Sequence, residues 1–186
     1  MKKILFIAAF SFLGSYFCST AFAVSLNQPL PAVSVQNKGA LALKPNRDEV
    51  NYRPWNTNEL TGKIRVVQHL AGRMSVKKMN APFVDALKAA KFNHDKYQTT
   101  TIVNLDDALI GTSGFVAHEV IANQRKYPLS SFVLDSNSKV RKAWHLSEKN
   151  CAIMVLDQQG KVLFFKDGAL TQKEIDSIIA LIRSHL

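Results

Sequence analysis

Few side chains in this sequence have a type and spacing suited to covalent chemistry, and Cys151 is the foremost. The chain holds two cysteines, Cys18 and Cys151. A thiol attacks only as the thiolate, and dithiol exchange needs a second, resolving thiol. Cys18 lies in an N-terminal segment expected to be removed, which leaves Cys151 unpaired. Cys151 therefore reads either as a single reactive thiol aided by a nearby cation, or as a small buried residue, since free cysteine packs much like a hydrophobe. The histidines, His69, His94, His118, His145 and His185, show no ligand spacing such as His-x-x-x-His. Asp106-Asp107 at a strand end reads as a cation ligand pair or, more simply, as solvated loop carboxylates. No glycine-rich phosphate loop and no Gly-x-Ser-x-Gly elbow occur, so no metal or cofactor is expected and nucleotide and hydrolase readings lack support.

The N-terminus carries an address rather than chemistry. Lys2-Lys3 precede an apolar run from Ile4 to Phe17, and Ala21-Phe22-Ala23 ends in small residues. That order is a secretory signal peptide over residues 1–23, with cleavage expected before Val24. An uncleaved anchor is the competing reading, because the apolar run approaches the roughly 20 residues that span a bilayer. Ser11, Gly14, Ser15, Ser19 and Thr20 interrupt it and favour cleavage, so no stable membrane span is expected afterwards. The bulky Tyr16-Phe17 before Cys18 speaks against a lipoprotein. Cleavage removes Lys2 and Lys3, leaving 22 basic against 14 acidic side chains, a formal charge of +8. Export takes nucleic acid out of reach as a partner, and the cations are scattered rather than interleaved with aromatics. The surface reads as basic and solvated, with a loose affinity for anionic envelope polymers or lipid headgroups as a secondary possibility.

The elements that must position these residues follow from periodicity. In residues 24–62, Val33-Ser34-Val35 and Leu41-Ala42-Leu43 alternate around Asn37-Lys38-Gly39, which signals a hairpin extension, and Pro54-Trp55-Asn56 reads as a loop with Trp55 packed on the domain rather than serving as a ligand platform. Ile64 to Ala71 is nearly continuous apolar sequence, as in a strand buried on both faces, with His69 as a core histidine. The helix after Ser75 places Val76, Met79, Phe83, Val84, Leu87 and Ala90 inward, and Pro82 beyond its first turn should kink it. Strands are expected at Tyr97–Leu105, Phe132–Asp135, Ala152–Leu156 and Lys161–Phe165, the last two joined by the turn Asp157-Gln158-Gln159-Gly160. Helices are expected from Thr112 or Ser113 to about Lys126, and after the Thr171/Glu174 capping box, with Ile175, Ile178, Ile179 and Ile182 in one stripe. The order implies a single α/β domain over 24–186, with its core at 63–186 and a mixed central sheet.

Val66 to Pro82 resembles the strand, active-site turn and kinked first helix of thioredoxin-like proteins of the TlpA and peroxiredoxin type. Phe132-Val133-Leu134-Asp135, Ala143-Trp144, Ile153 to Asp157, Gly160-Lys161-Val162 and Gly168 are similar to that group's C-terminal half. More narrowly, Trp55-Asn56-Thr57, Gln68 to Arg73, Tyr97 to Asn104 and Lys166 to Leu170 resemble the YtfJ family of bacterial periplasmic proteins. The resemblance implies a thioredoxin-like three-layer sandwich in the periplasm, with no settled activity. It sets Met74-Ser75-Val76-Lys77 where redox members carry Cys-x-x-Cys, and Cys151 near the place of their cis-proline. No dithiol chemistry is then expected. The groove implied between that turn and the proline loop would be lined by Arg73, Met74, Ser75, Lys77, Asn150 and Cys151. The expectation is a non-catalytic protein holding a periplasmic protein, a peptide or a small anion there. The alternative is a single-thiol redox enzyme using Cys151, its thiolate held by Lys77 or Arg73, and an envelope-maintenance role without a defined ligand stands beside both.

Overall fold

The computed structural model describes residues 23–43 and 50–186. The expected signal peptide thus lies, except for Ala23, outside the described residues. The described chain forms seven strands and four helices: β1 (Ser34–Leu43), β2 (Val50–Asn56), β3 (Ile64–Ala71), α1 (Met74–Ala90), β4 (Tyr97–Asn104), α2 (Ser113–Lys126), β5 (Ser131–Asp135), α3 (Lys139–Ala143), β6 (Cys151–Leu156), β7 (Val162–Asp167) and α4 (Gln172–Ser184). They make one mixed sheet in the order β2-β1-β5-β4-β3-β6-β7. β3, β4 and β5 run parallel, and the outer pairings are antiparallel.

β3 sits inside the sheet because its side chains are apolar on both faces. Ile64 and Val66 join the cluster of Phe83 and Leu87 from α1 and Ile175, Ile178 and Ile182 from α4. The register that sets Val103 opposite Leu70 puts α2 on this same face, where Val120 packs on Val103, Phe132 and Leu134. Val67 points the other way, into a cluster with Trp55, Leu60, Val140 and Trp144. That second face is covered by α3 and the chain from Val24 to Val33. The Trp144 indole N–H donates to the Pro31 carbonyl at 2.9 Å and pins that segment. Three layers result, as the sequence implied.

The N-terminal hairpin differs from expectation. Asn37-Lys38-Gly39 is not a turn but a bulge within one strand, β1, whose register with β2 shifts between Val35 and Ala40. Pro54-Trp55-Asn56 belongs to β2 rather than a loop. Proline is admissible there because β2 is the edge strand, where a missing N–H costs no ladder bond. Alternation alone cannot separate a bulged strand from two short ones. Gly39 has φ +76°, and a Cβ on it would stand 2.3 Å from the Arg53 carbonyl oxygen. The bulge also lets β1 pair with β5 through Lys38, Gly39 and Ala40, so the extension completes the sheet.

In α1 the inward stripe is Val76, Asn80, Phe83 and Leu87; Met79 is exposed and Val84 only half-buried. Asn80 takes the expected place of an apolar residue because its amide donates to Gln68 Oε1 from the buried face of β3. Pro82 lies inside α1, where it has no N–H for the carbonyl one turn back. In α2 Val120 is fully buried, while Val116 and Ile121 are half-buried. The Thr171/Glu174 capping box on α4 forms as read.

Gly39→Ala should lower stability by about 2–4 kcal/mol, the combined cost of a left-handed conformation and a backbone clash. Gly62→Ala, with a similar φ of +86° but open space around its Cβ, should cost only about 1–2 kcal/mol. Urea denaturation of the two variants checks the difference; equal losses would remove the clash.

Candidate functional site

The turn from β3 to α1 is built by a close approach of main chains. The Gly72 N–H donates to the Asn104 carbonyl at 2.9 Å, and a Cβ on Gly72 would lie 3.0 Å from that oxygen. Arg73 follows in extended backbone as the N-cap of α1, and its side chain does not cap the helix. Its Nε instead donates to the Asp107 carbonyl at 2.6 Å. Met74 and Ser75 are exposed in the first turn, which contains no acidic side chain. Lys77, also exposed, pairs with Glu119 of α2. The helix therefore opens with main-chain N–H groups that have no intrahelical acceptor, the arrangement that favours an anion.

The opposing wall comes from the start of β6. The Ala71 N–H donates to the Asn150 carbonyl at 3.0 Å, which closes this wall on the turn. The Asn150 side chain donates to Asp167 Oδ1 at 3.1 Å. Cys151 pairs with Leu70 in the sheet and packs with Ala71 and Val76. Its thiol donates to the Gly168 carbonyl at 3.3 Å, and its Sγ lies 3.5 Å from Met79 Sδ. Of the six residues singled out from sequence, four thus share the start of α1, and Asn150 and Cys151 adjoin the same turn through Ala71 and Val76.

The electrostatics around Cys151 differ from the sequence expectation. Lys77 is engaged by Glu119 and Arg73 by the Asp107 carbonyl. The side-chain charge that acts on the thiol is Asp167, an anion. Burial, and after it Asp167, push the Cys151 thiol above its ordinary value. Both effects disfavour the thiolate.

A polar network not legible in the sequence positions the whole corner. Asn104, fully buried at the end of β4, donates through Nδ2 to Asp107 Oδ2 at 3.0 Å and to Ser138 Oγ at 3.0 Å. Its Oδ1 accepts the Asp106 N–H at 3.1 Å. Ser138 donates to Asp106 Oδ2 at 2.8 Å. Asp106, exposed, and Asp107, half-buried, hence each serve the network as acceptors. Asp135 caps α3 by accepting the Val140 N–H at 2.8 Å. An Asn ending a buried β-branched strand was the available signal; Ser138, held at φ +52°, offered none. Among the described residues no three His, Cys, Asp or Glu side chains are grouped to hold a metal ion.

His69 stands beside this network on β3, buried, with Nε2 unpartnered. Burial lowers its pKa from 6.5 to about 4, against the opposing pull of Asp135, Asp107 and Asp167. Arg141 adds a smaller lowering.

Residues 24–185 match the family model described as a bacterial protein of unknown function (YtfJ_HI0045). The chain is 42% identical over 168 residues to the uncharacterized protein YtfJ of Escherichia coli (strain K12), covering 90% of each. It is 44% identical over 171 residues to an uncharacterized protein of Haemophilus influenzae, covering 91% of this chain and 92% of that one. Among solved structures it is similar to the thioredoxin domain of a thiol-disulfide oxidoreductase from Bacteroides vulgatus, with a TM-score of 0.57, 13% identity, and coverage of 86% of this chain and 99% of that one. The fold is thioredoxin-like.

Two outcomes test this geometry. Between pH 6.5 and about 4 the unfolded chain takes up a proton at residue 69 that the folded chain refuses. Stability tied to His69 should therefore be complete above pH 6.5 and fall by about 3 kcal/mol as pH drops through that window. Denaturation at a series of pH values should show this slope reduced in His69→Gln. Second, iodoacetamide should alkylate Cys151 at least about tenfold more slowly in the native than in the urea-unfolded protein, because the native thiol is buried and its thiolate disfavoured. Faster native alkylation would mark an activated thiol.

Proposed function

The chain belongs to the YtfJ family, and we propose that its mature form is an exported, periplasmic, non-catalytic protein that binds an extended peptide or protein segment carrying an anionic group. The groove is the one between the start of α1 and the Asn150–Cys151 wall. The observation that carries this reading is the uncapped first turn of α1, with Arg73 giving it no side-chain acceptor and with Met74 and Ser75 exposed beside it. Main-chain donors there suit a carboxylate or another small anion, and Met74 supplies a flexible apolar contact for a neighbouring side chain.

One observation supports export: the family match begins at Val24, directly after the segment read as a signal peptide. The competing single-thiol enzyme would need an activated Cys151. Burial, the donated hydrogen bond to Gly168 and the Asp167 charge all favour the protonated thiol instead.

Photo-crosslinking and pull-down from the periplasm, comparing wild type with Met74→Glu/Lys77→Glu and with Cys151→Ser, separate the two. Binding through the groove predicts that the double variant loses its captured partners while Cys151→Ser keeps them. An unchanged partner set in the double variant sinks the groove, and a loss confined to Cys151→Ser transfers the function to the thiol.

A further inference from the structure

The loop between β4 and α2 carries apolar side chains with nothing over them. Leu109 is 58% exposed, Ile110 104% and Phe115 81%, and Met74, at the start of α1, is 59% exposed. Leu109 and Ile110 lie in the loop itself, and Phe115 follows in the first turn of α2. The Thr112 N–H and Oγ1 both donate to the Leu109 carbonyl, at 2.9 and 2.7 Å, which folds the loop onto the first turn of α2. A shallow hollow of about 480 Å³ behind the tip is lined by Gly111, Gly114, Phe115 and His118. The loop is tied to α1 by the bond from Arg73 to Asp107.

The charges at this corner are sorted by sign. Asp106, though exposed, accepts from Ser138, half-buried Asp107 accepts from Asn104, and Glu119 is paired with Lys77. Lys78, one turn beyond Met74, and Lys149, whose N–H meets Asp107 Oδ2 at 3.4 Å, are exposed. The chain as a whole carries a formal charge of +10.

We propose that this tip docks peripherally on a leaflet rich in anionic phospholipid, with Leu109, Ile110 and Phe115 entering the acyl boundary and Lys78 and Lys149 facing the headgroups. Shape selects lipid over protein. An exposure of 104% at Ile110 means that no described residue covers it, so the tip protrudes there. A protein partner would need a hollow matched to those side chains, whereas acyl chains accommodate any protrusion. Charge selects an anionic surface, because the exposed Lys78 and Lys149 are attracted to it while Asp106, Asp107 and Glu119 are each engaged, by Ser138, Asn104 and Lys77 respectively. The attachment is peripheral, since among the described residues no helix is long and apolar enough to cross a membrane. The proposal stands apart from the groove reading: none of Leu109, Ile110 and Phe115 is a groove residue.

The test is co-sedimentation of the mature chain with phosphatidylglycerol–phosphatidylcholine vesicles and with phosphatidylcholine alone. Leu109→Ser/Ile110→Ser/Phe115→Ser should lose at least about tenfold in partitioning, with an unchanged melting temperature because these side chains are exposed. Lys78→Gln/Lys149→Gln should weaken the preference for the anionic vesicles. In Ile110→Trp, the added emission should shift to the blue on binding and be quenched by brominated acyl chains. Absence of sedimentation with anionic vesicles at low salt overturns the proposal. So does binding that survives the triple substitution, which would be attachment by charge alone. Self-association or capture of a protein that depends on the tip, without vesicle binding, assigns the surface to a protein and overturns it equally.

Discussion

Asn104 is the constraint on which the functional corner depends. It ends β4 with its side chain fully buried, and an amide taken from water must recover its hydrogen bonds or cost about 1–3 kcal/mol for each group left unpaired. It recovers them from three segments at once: the β4–α2 loop through Asp106 and Asp107, the β5–α3 turn through Ser138, and the β3–α1 turn through its own carbonyl and Gly72. The three connections that follow the parallel strands are thereby locked to one another. Crevices beyond the C-terminal ends of such strands are where open α/β sheets take ligands. Here that region is rigid underneath and exposed on top.

The exposed side chains at the start of α1 carry little of the fold. α1 is docked by Val76, Phe83 and Leu87 and by the Gln68–Asn80 amide pair, all buried. Met74, Ser75 and Lys77 are exposed, and the Lys77–Glu119 pair at the surface is of the kind that contributes about 1 kcal/mol or less. A reactive sulfur pair can therefore be absent from this turn without loss of structure. Cys151 belongs to the other category: it lies in the sheet, packed with Val76 and Ala71, and its replacement must respect a small buried volume.

The core was legible in sequence because burial on both faces leaves a dense apolar signal. β3 occupies Ile64–Ala71 as read, and the α4 capping box and isoleucine stripe formed as expected. The bulged β1 was not legible, because Asn37-Lys38-Gly39 carries the same local signal in a bulge as in a turn, and only the pairing with β5 on one side and β2 on the other distinguishes them. Of the groove, the juxtaposition of the α1 start with Asn150 and Cys151 followed from the family resemblance. The charges did not. Which carboxylate meets which cation depends on the approach of α1 to α2, and that sends Lys77 to Glu119 and leaves Asp167 to act on Cys151. The network polar residues escaped because single Asn, Gln and Ser residues have no periodicity; each is explained only by the partner that satisfies it.

The start of α1 and the β4–α2 loop are mechanically joined. The Arg73 guanidinium reaches across from the first turn of α1 to the Asp107 carbonyl, and Asp107 is held by Asn104 two residues before the exposed tip begins. Under the two proposals above, an occupant that restrains the tip would also restrain Arg73, and one that draws on Arg73 would have to give up or share the Asp107 bond. Linkage makes that coupling reciprocal: whatever free energy one occupant adds to the other's binding is returned in full. The coupling element is a single charged hydrogen bond of the class that contributes about 1.5–3 kcal/mol. That magnitude sets an upper bound on such a coupling and is small beside the burial that holds the core.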